Sequence, residues 1–118
     1  MGDSVFVHRV RSYEIDHQGF LFNGRYLEIC DAAMTEFFRA AGFTYPQLLA
    51  DGFDPAVIEL AASFMRPGKL DDLLTVHVSC TRVGTSSANL LFDITCGTDP
   101  VARLRTTYVN VDPQTGRS

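Results

Sequence analysis

Hydrophobic positions change their spacing twice along this chain, and each change marks an element boundary. Residues 5–12, VFVHRVRS, are rich in valine and partly alternate apolar with polar, the period of a strand, with Arg9 and Arg11 on one face. Beyond Gly19 the period lengthens. Tyr26, Cys30, Ala33, Met34, Phe37 and Ala41 recur at helical spacing, Leu27 and Phe38 widen the stripe, and Arg25, Glu28 and Glu36 lie mostly off it. This predicts a helix over about 23–41 stopped by Gly42, with an apolar face broad enough to need a covering sheet. Thr44, Tyr45 and Pro46 then begin a short second helix through Leu49 and Ala50, closed by Asp51-Gly52.

After that the period of two returns and persists. Ile58, Leu60, Ala62 and Phe64 alternate with Glu59, Ala61 and Ser63 until Pro67-Gly68 breaks the run. Leu74, Val76, Val78 and Cys80 alternate with Thr75, His77, Ser79 and Thr81. A Gly84-Thr85 turn leads into Ala88, Leu90, Phe92, Ile94 and Cys96, which alternate with Ser87, Asn89, Asp93 and Thr95. Gly97 to Pro100 turns the chain into a last run, 101–111, with Arg103 and Arg105 on one face. Strands joined by such short turns are expected to be antiparallel neighbours, because parallel ones need long crossovers. The simplest architecture is α+β, a curved antiparallel sheet wrapped against one long helix, with small polar and charged groups on the sheet's other face. Its edge strands invite pairing with a second copy. The tail from about residue 112 is polar and turn-rich and is expected to fray.

Composition narrows the chemistry. At 118 residues, 46% apolar and 20% charged, residues 1–118 are expected to form a single globular domain. A net charge of −4 without a Lys/Arg block argues against a nucleic-acid surface, although a few local arginines suffice to hold phosphate. Cys30, Cys80 and Cys96 are widely spaced among apolar neighbours, the pattern of buried reduced thiols. Without CxxC, a tight Cys/His cluster or HExxH, no metal is implied, and without GxGxxG or GxxxxGK[ST] no nucleotide fold is. No basic flank leads into a signal core and no apolar run reaches membrane-spanning length, so a cytoplasmic location and no membrane partner are expected.

Asp16 is the leading chemical candidate, and two readings of it stand. An Asp before a turn can simply accept local backbone hydrogen bonds. Alternatively, a carboxylate among apolar and aromatic residues just before a helix start serves as a base or nucleophile beside unpaired N–H groups. Glu14 is a nearby rival. His17 has no partner Ser or Cys at recognisable spacing and reads equally as a turn histidine. Gly19 has a conformational role, and Asn23 either caps the helix or aims its backbone N–H at a pocket. His8, His77 and Glu59 read as strand residues. Arg82, Arg103, Arg105 and Lys69 are ordinary surface cations that are also suited to phosphate.

The stretch Tyr13–Ala41 resembles the active-site segment of the hotdog-fold acyl-CoA thioesterases, in particular the 4-hydroxybenzoyl-CoA thioesterase-like group. The family pattern is D-x-x-G, three variable positions, a polar or aromatic residue, two more and Tyr; Asp16, Gly19, Asn23 and Tyr26 fill it in register, after Val10-Arg11 and before Leu27-Glu28. The later RPGKLDDLLTV, with Pro67 and Asp72, and Gly84 with Ser87 fit the family's bend and hairpin. Asn23 departs from relatives that carry His or an aromatic there, which leaves a backbone role intact and a side-chain role in question.

The resemblance implies a long central helix wrapped by a five-stranded antiparallel sheet, paired into a homodimer with a continuous sheet and often assembled into a dimer of dimers. Active sites in that family lie between subunits. Asp16 is then the nucleophile or general base, the Asn23 backbone N–H the oxyanion donor, and Gly19 the residue that lets the loop approach. Tyr26, with Phe22, His17 and Phe64, is expected to line the acyl pocket, while Lys69, Arg82, Arg103 and Arg105 contact coenzyme A phosphates. No separate cofactor is needed, coenzyme A being part of the substrate. The expected reaction is acyl-CoA hydrolysis; an acyl-carrier-protein thioesterase and a non-catalytic acyl-CoA-binding protein are the alternatives. A dehydratase is less favoured, lacking an evident His/Asp or His/Glu pair at the helix start.

Overall fold

The computed structural model describes residues 3–50, 54–83 and 87–110. The Asp51-Gly52 stop, the Gly84-Thr85 turn and the polar tail fall outside them. Five strands, β1 (Ser4–Arg9), β2 (Pro55–Phe64), β3 (Leu73–Val83), β4 (Ser87–Cys96) and β5 (Asp99–Asn110), form one sheet in the order β1-β3-β4-β5-β2. Every neighbouring pair is antiparallel. The long helix α1 spans Asn23–Ala40, the short α2 spans Tyr45–Ala50, and a single 3₁₀ turn occupies Ser12–Glu14. This is the hotdog arrangement expected from the sequence.

Helix α1 ends where its glycine dictates. Gly42 adopts φ +95°, its N–H donates to the Arg39 carbonyl at 3.0 Å and the N–H of Phe43 to the Phe38 carbonyl at 2.9 Å. That pair of bonds is a Schellman ending, which needs a left-handed residue at this position. The buried face of α1 carries Tyr26, Ile29, Cys30, Ala33, Met34, Phe37 and Phe38. Leu27, expected within the apolar stripe, is 40% exposed, because one helical step from Tyr26 rotates it off the face that Ile29 and Cys30 occupy. Against this face the sheet buries Leu74, Val76 and Val78 of β3, Leu90, Phe92 and Ile94 of β4, and Ala102 and Leu104 of β5.

β3, β4 and β5 form the meander that their short turns predict. β2 departs from the simplest succession of hairpins: it pairs with β5 at one edge, so residues 65–72 carry the chain across to β3, beside β1. A bulge between Val57 and Glu59 takes Ile58 out of the alternation, leaving it 62% exposed. From Val57 to Phe64 the strand is exposed on both faces, despite the alternation of its residues in the sequence. Its partners Ala102, Leu104 and Thr106 on β5 are buried, and α1 meets this edge through Tyr26, whose ring packs against Phe64. The outer face of the sheet is likewise more apolar than expected, with Val5, Val7 and Leu73 exposed beside His77, Arg103 and Arg105.

Among the described residues no helix is long and apolar enough to cross a membrane, and no cluster of His, Cys, Asp or Glu could hold a metal ion. All three cysteines are free: Cys30 is buried as expected, whereas Cys80 and Cys96 are half-buried.

Candidate active site

Between Val10 and α1 the chain builds a small closed loop. Ile15 and Leu21 pair as an isolated antiparallel bridge, Asp16 N–H donates to the Phe20 carbonyl at 2.9 Å, and Gly19 N–H donates to the Asp16 carbonyl at 3.0 Å. Gly19 sits at φ +84°, in the left-handed region that a side chain disfavours, so the turn depends on it. Inside this loop Asp16 is half-buried, and its Oδ1 accepts the N–H of Gln18 at 2.9 Å and that of Phe20 at 3.4 Å. Both bonds fall on one oxygen. Among the described residues Oδ2 receives none, so local hydrogen bonding orients the carboxylate and leaves its second oxygen available.

The helix start lies next to it. Phe22, with φ −63° and ψ 136°, is the N-cap of α1 and Asn23 the first helical residue, so the Asn23 side chain does not cap the helix. The Phe22 N–H is taken by the Glu14 carbonyl at 3.0 Å, and the Arg25 N–H returns to the Phe22 carbonyl at 2.9 Å. Among the described residues the backbone N–H groups of Asn23 and Gly24 have no acceptor. No acidic side chain occupies the first turn to offset the positive end of the helix. These are the properties an oxyanion site requires.

Tyr26 fastens the other wall. It is buried, its hydroxyl accepts the N–H of Gly68 at 3.1 Å, and its ring meets Phe64 edge-on at 5.1 Å between centroids. Burial raises its pKa above 10.0, partly offset by the Gly68 bond. The Gly68 carbonyl in turn accepts the Leu21 N–H at 2.8 Å. A Cβ at Gly68 would lie 3.2 Å from the Tyr26 hydroxyl and 3.3 Å from Leu21 Cβ, so a glycine lets the 65–72 crossing dock this closely against the Asp16 loop.

The result is a cleft of about 210 Å³ lined by Asp16, Asn23, Tyr26 and Phe64 together with Gln18, Phe20, Leu21, Met65, Arg66 and Pro67. Four expected site residues therefore meet. Gly19, His17 and Phe22 do not line the cleft: His17 is exposed, and the Phe22 ring lies outside over Gly24, where a Cβ would come within 2.9 Å of it. Glu14, the rival carboxylate, is buried and turned away toward His8.

Arg66 is the cation that sequence reasoning missed. Its Nη1 donates to the Pro67 carbonyl at 3.0 Å and to Asp72 Oδ2 at 3.3 Å, while the Lys69 N–H holds the same Oδ2 at 3.0 Å. Burial opposes its charge, but the hydrogen bond and negative charge of Asp72 outweigh this and raise its pKa. In the sequence it is the first residue of RPGKLDDLLTV, beside the Pro67-Gly68 break, where Lys69 alone reads as a phosphate contact. Phe20, Arg66 and Pro67 also border a shallow groove of about 500 Å³ with Lys69 and Asp72, so the cleft opens onto cationic surface. Arg103 and Arg105 line a separate hollow beside Ala61, Ala62, Ser63 and Met65, with Arg103 Nε bonded to Asp93 at 2.7 Å. Arg82 is exposed on β3 and borders none of these three hollows.

The family model described as "Thioesterase superfamily" matches residues 18–103. An acyl-CoA thioesterase, YbgC, of Haemophilus influenzae is 34% identical over 96 residues, 79% of this chain and 69% of that protein. A chloroplastic acyl-acyl carrier protein thioesterase of Arabidopsis thaliana is 31% identical over 85 residues, 72% of this chain and 44% of that protein. The chain thus spans between 44% and 69% of the curated relatives it matches. A probable thioesterase from Bartonella henselae has the same fold, with a TM-score of 0.91 at 24% identity over 98% of this chain and 96% of that one. Matched from within the Asp16 loop to the last strand, the chain belongs to the thioesterase superfamily and has its hotdog fold.

Proposed function

We propose that this protein hydrolyses an acyl-CoA thioester to the free acid and coenzyme A. The observation that carries the reading is that Asp16, whose carboxylate has one unengaged oxygen, and Asn23, whose helix-start N–H is unpartnered among the described residues, line the same cleft. In one form of the reaction Asp16 Oδ2 attacks the thioester carbonyl, the C–S bond breaks to release the coenzyme A thiolate, and water hydrolyses the resulting anhydride. In the other, Asp16 removes a proton from water as the water attacks. In either form negative charge gathers on the carbonyl oxygen, which the Asn23 N–H and the positive end of α1 stabilise. Tyr26 and Phe64 form the wall against the acyl group. Arg66 and Lys69 stand where the cleft opens and suit the phosphates of coenzyme A, with Arg82, Arg103 and Arg105 contributed by a partner copy.

The likeness to the Haemophilus acyl-CoA thioesterase supports this substrate class. The Arabidopsis relative supports a second reading, in which the acyl group arrives on a carrier protein. Initial rates with one acyl group on coenzyme A and on acyl-carrier protein decide between them. Asp16→Asn is expected to lower turnover at least about a hundredfold while leaving a folded protein. Near-normal turnover would remove Asp16 from the mechanism, and binding without hydrolysis across a varied acyl-CoA panel would mark a non-catalytic acyl-CoA-binding protein.

A further inference from the structure

Glu14 lies two positions before Asp16 and does not line the cleft, yet it is among the most engaged side chains in this region. It is 6% exposed, the only buried carboxylate among the described residues. His8 Nε2 meets both of its oxygens, at 2.9 and 3.0 Å, and Oε1 also accepts the Arg11 backbone N–H at 2.7 Å. Its backbone carbonyl accepts the N–H of Phe22, the N-cap of α1. One residue thus ties together strand β1 through His8, the 3₁₀ turn through Arg11, and the start of α1 through Phe22.

From these contacts we propose that the His8–Glu14 pair is a positioning device for the reaction, setting the carboxylate of Asp16 and the N–H of Asn23 relative to each other. The chain leaves Glu14, makes the closed 16–20 loop, and returns at Phe22 to the carbonyl of the same Glu14. Asp16 lies just inside this closure, two residues after Glu14, and Asn23 lies just outside it, directly after Phe22. A carboxylate only accepts hydrogen bonds, so His8 must present an N–H, and it is the only side chain bonded to Glu14 among the described residues. Removing that donor leaves a buried carboxylate underpaired, which favours its rotation toward solvent and carries the closure with it. Displacement by about 1 Å between a reacting group and its oxyanion donor is enough to lower turnover about a hundredfold. Neither residue touches substrate, so the pair acts through Asp16 and Asn23.

The inference rests on the thioesterase reading, and the experiment separates the two. Steady-state hydrolysis of an acyl-CoA is measured for the wild type, Asp16→Asn, His8→Phe, His8→Gln and Glu14→Gln, well below each protein's melting temperature. His8→Phe keeps a ring but no donor and is expected to lower kcat about ten- to a hundredfold with KM within about threefold. His8→Gln, whose amide can still donate to Glu14, is expected to recover kcat to within about threefold of the wild type. A folded His8→Phe with unchanged kcat overturns the proposal, even if its melting temperature falls. If His8→Phe does not fold, Glu14→Gln carries the decision: a fall of at least about fivefold in kcat at unchanged KM supports positioning, and wild-type kcat overturns it. Full activity in Asp16→Asn refutes the catalytic assignment instead.

Discussion

Asp16 illustrates how a turn's own hydrogen bonds can leave a carboxylate oxygen available for the proposed chemistry. Its Oδ1 is committed to the amides of Gln18 and Phe20, as an Asp at a turn would be, and that commitment aims Oδ2. The same loop amides make the carboxylate rigid without exhausting it, which is what a nucleophile or base requires. Cys30 shows the opposite case, a reactive group made inert. It is fully buried on α1, and burial, with the charge of Asp31 adding to it, pushes its thiol from 9.0 up to about 12. A raised folded pKa favours the protonated form in the native state, so its contribution is intact below about pH 9 and is lost as pH rises toward 12. Within that window one such group lowers stability by about 1.4 kcal/mol per pH unit. Tyr26 and Tyr108, both raised by burial, act in the same direction. Urea unfolding of the wild type and Cys30→Ala from pH 8 to 10.5 should therefore give a shallower alkaline decline in the variant. Parallel declines would mean that the thiol ionises as easily folded as unfolded.

At the scale of elements, residues 65–72 carry more of the site than their lack of secondary structure suggests. They run from β2 to β3, give Arg66 and Pro67 to the cleft, and are clamped to Val10 by bonds from its N–H to the Asp72 carbonyl, 2.9 Å, and from the Asp71 N–H to its own carbonyl, 3.1 Å. Asp71 closes this clamp at φ +67°, the one non-glycine residue in the left-handed region among those described. Its carbonyl, not its side chain, receives Arg9 Nη1 at 2.8 Å. Asp71→Gly should keep that bond, relieve the backbone and raise stability by roughly 0.5–1 kcal/mol, read from the urea midpoint. A lower midpoint would mean that the Asp side chain contributes more than its conformation costs. The crossing also marks the boundary of what was legible. Period-two alternation placed β3 and β4 and period 3.6 placed α1, because both patterns answer to a core inside the chain. Asp16, Gly19 and Tyr26 were legible as a spaced motif. The His8–Glu14 pair joins two elements with no shared period, and Arg66 beside Pro67 carries no pattern, so contacts alone reveal them. Of the two readings open for Asn23, a cap or a backbone N–H aimed at a pocket, the cap falls to Phe22.

For the whole molecule, β2 states what one chain lacks. Val57, Ile58, Leu60 and Phe64 are between 41% and 62% exposed, at an edge whose outward backbone groups meet no strand among the described residues. A solitary edge of this kind is a template for pairing, and the sequence alternated there as if a core covered it. We infer that the covering surface belongs to a second copy, with the two β2 edges joined into one sheet and each partner lying close to the other's Phe64 and Met65, where the cleft opens. The cations of the neighbouring hollow, Arg103 and Arg105, then approach the partner's site. Light scattering should give a dimer for the wild type, with a melting temperature that rises with protein concentration. Leu60→Asp puts an unpaired charge into the covered face and should yield a monomer that retains the β3-β4-β5 meander but loses most turnover, because its cleft is left without the partner's wall. A Leu60→Asp protein that is still dimeric and fully active would place the interface elsewhere. A monomer with wild-type turnover would show that a single chain holds a complete site.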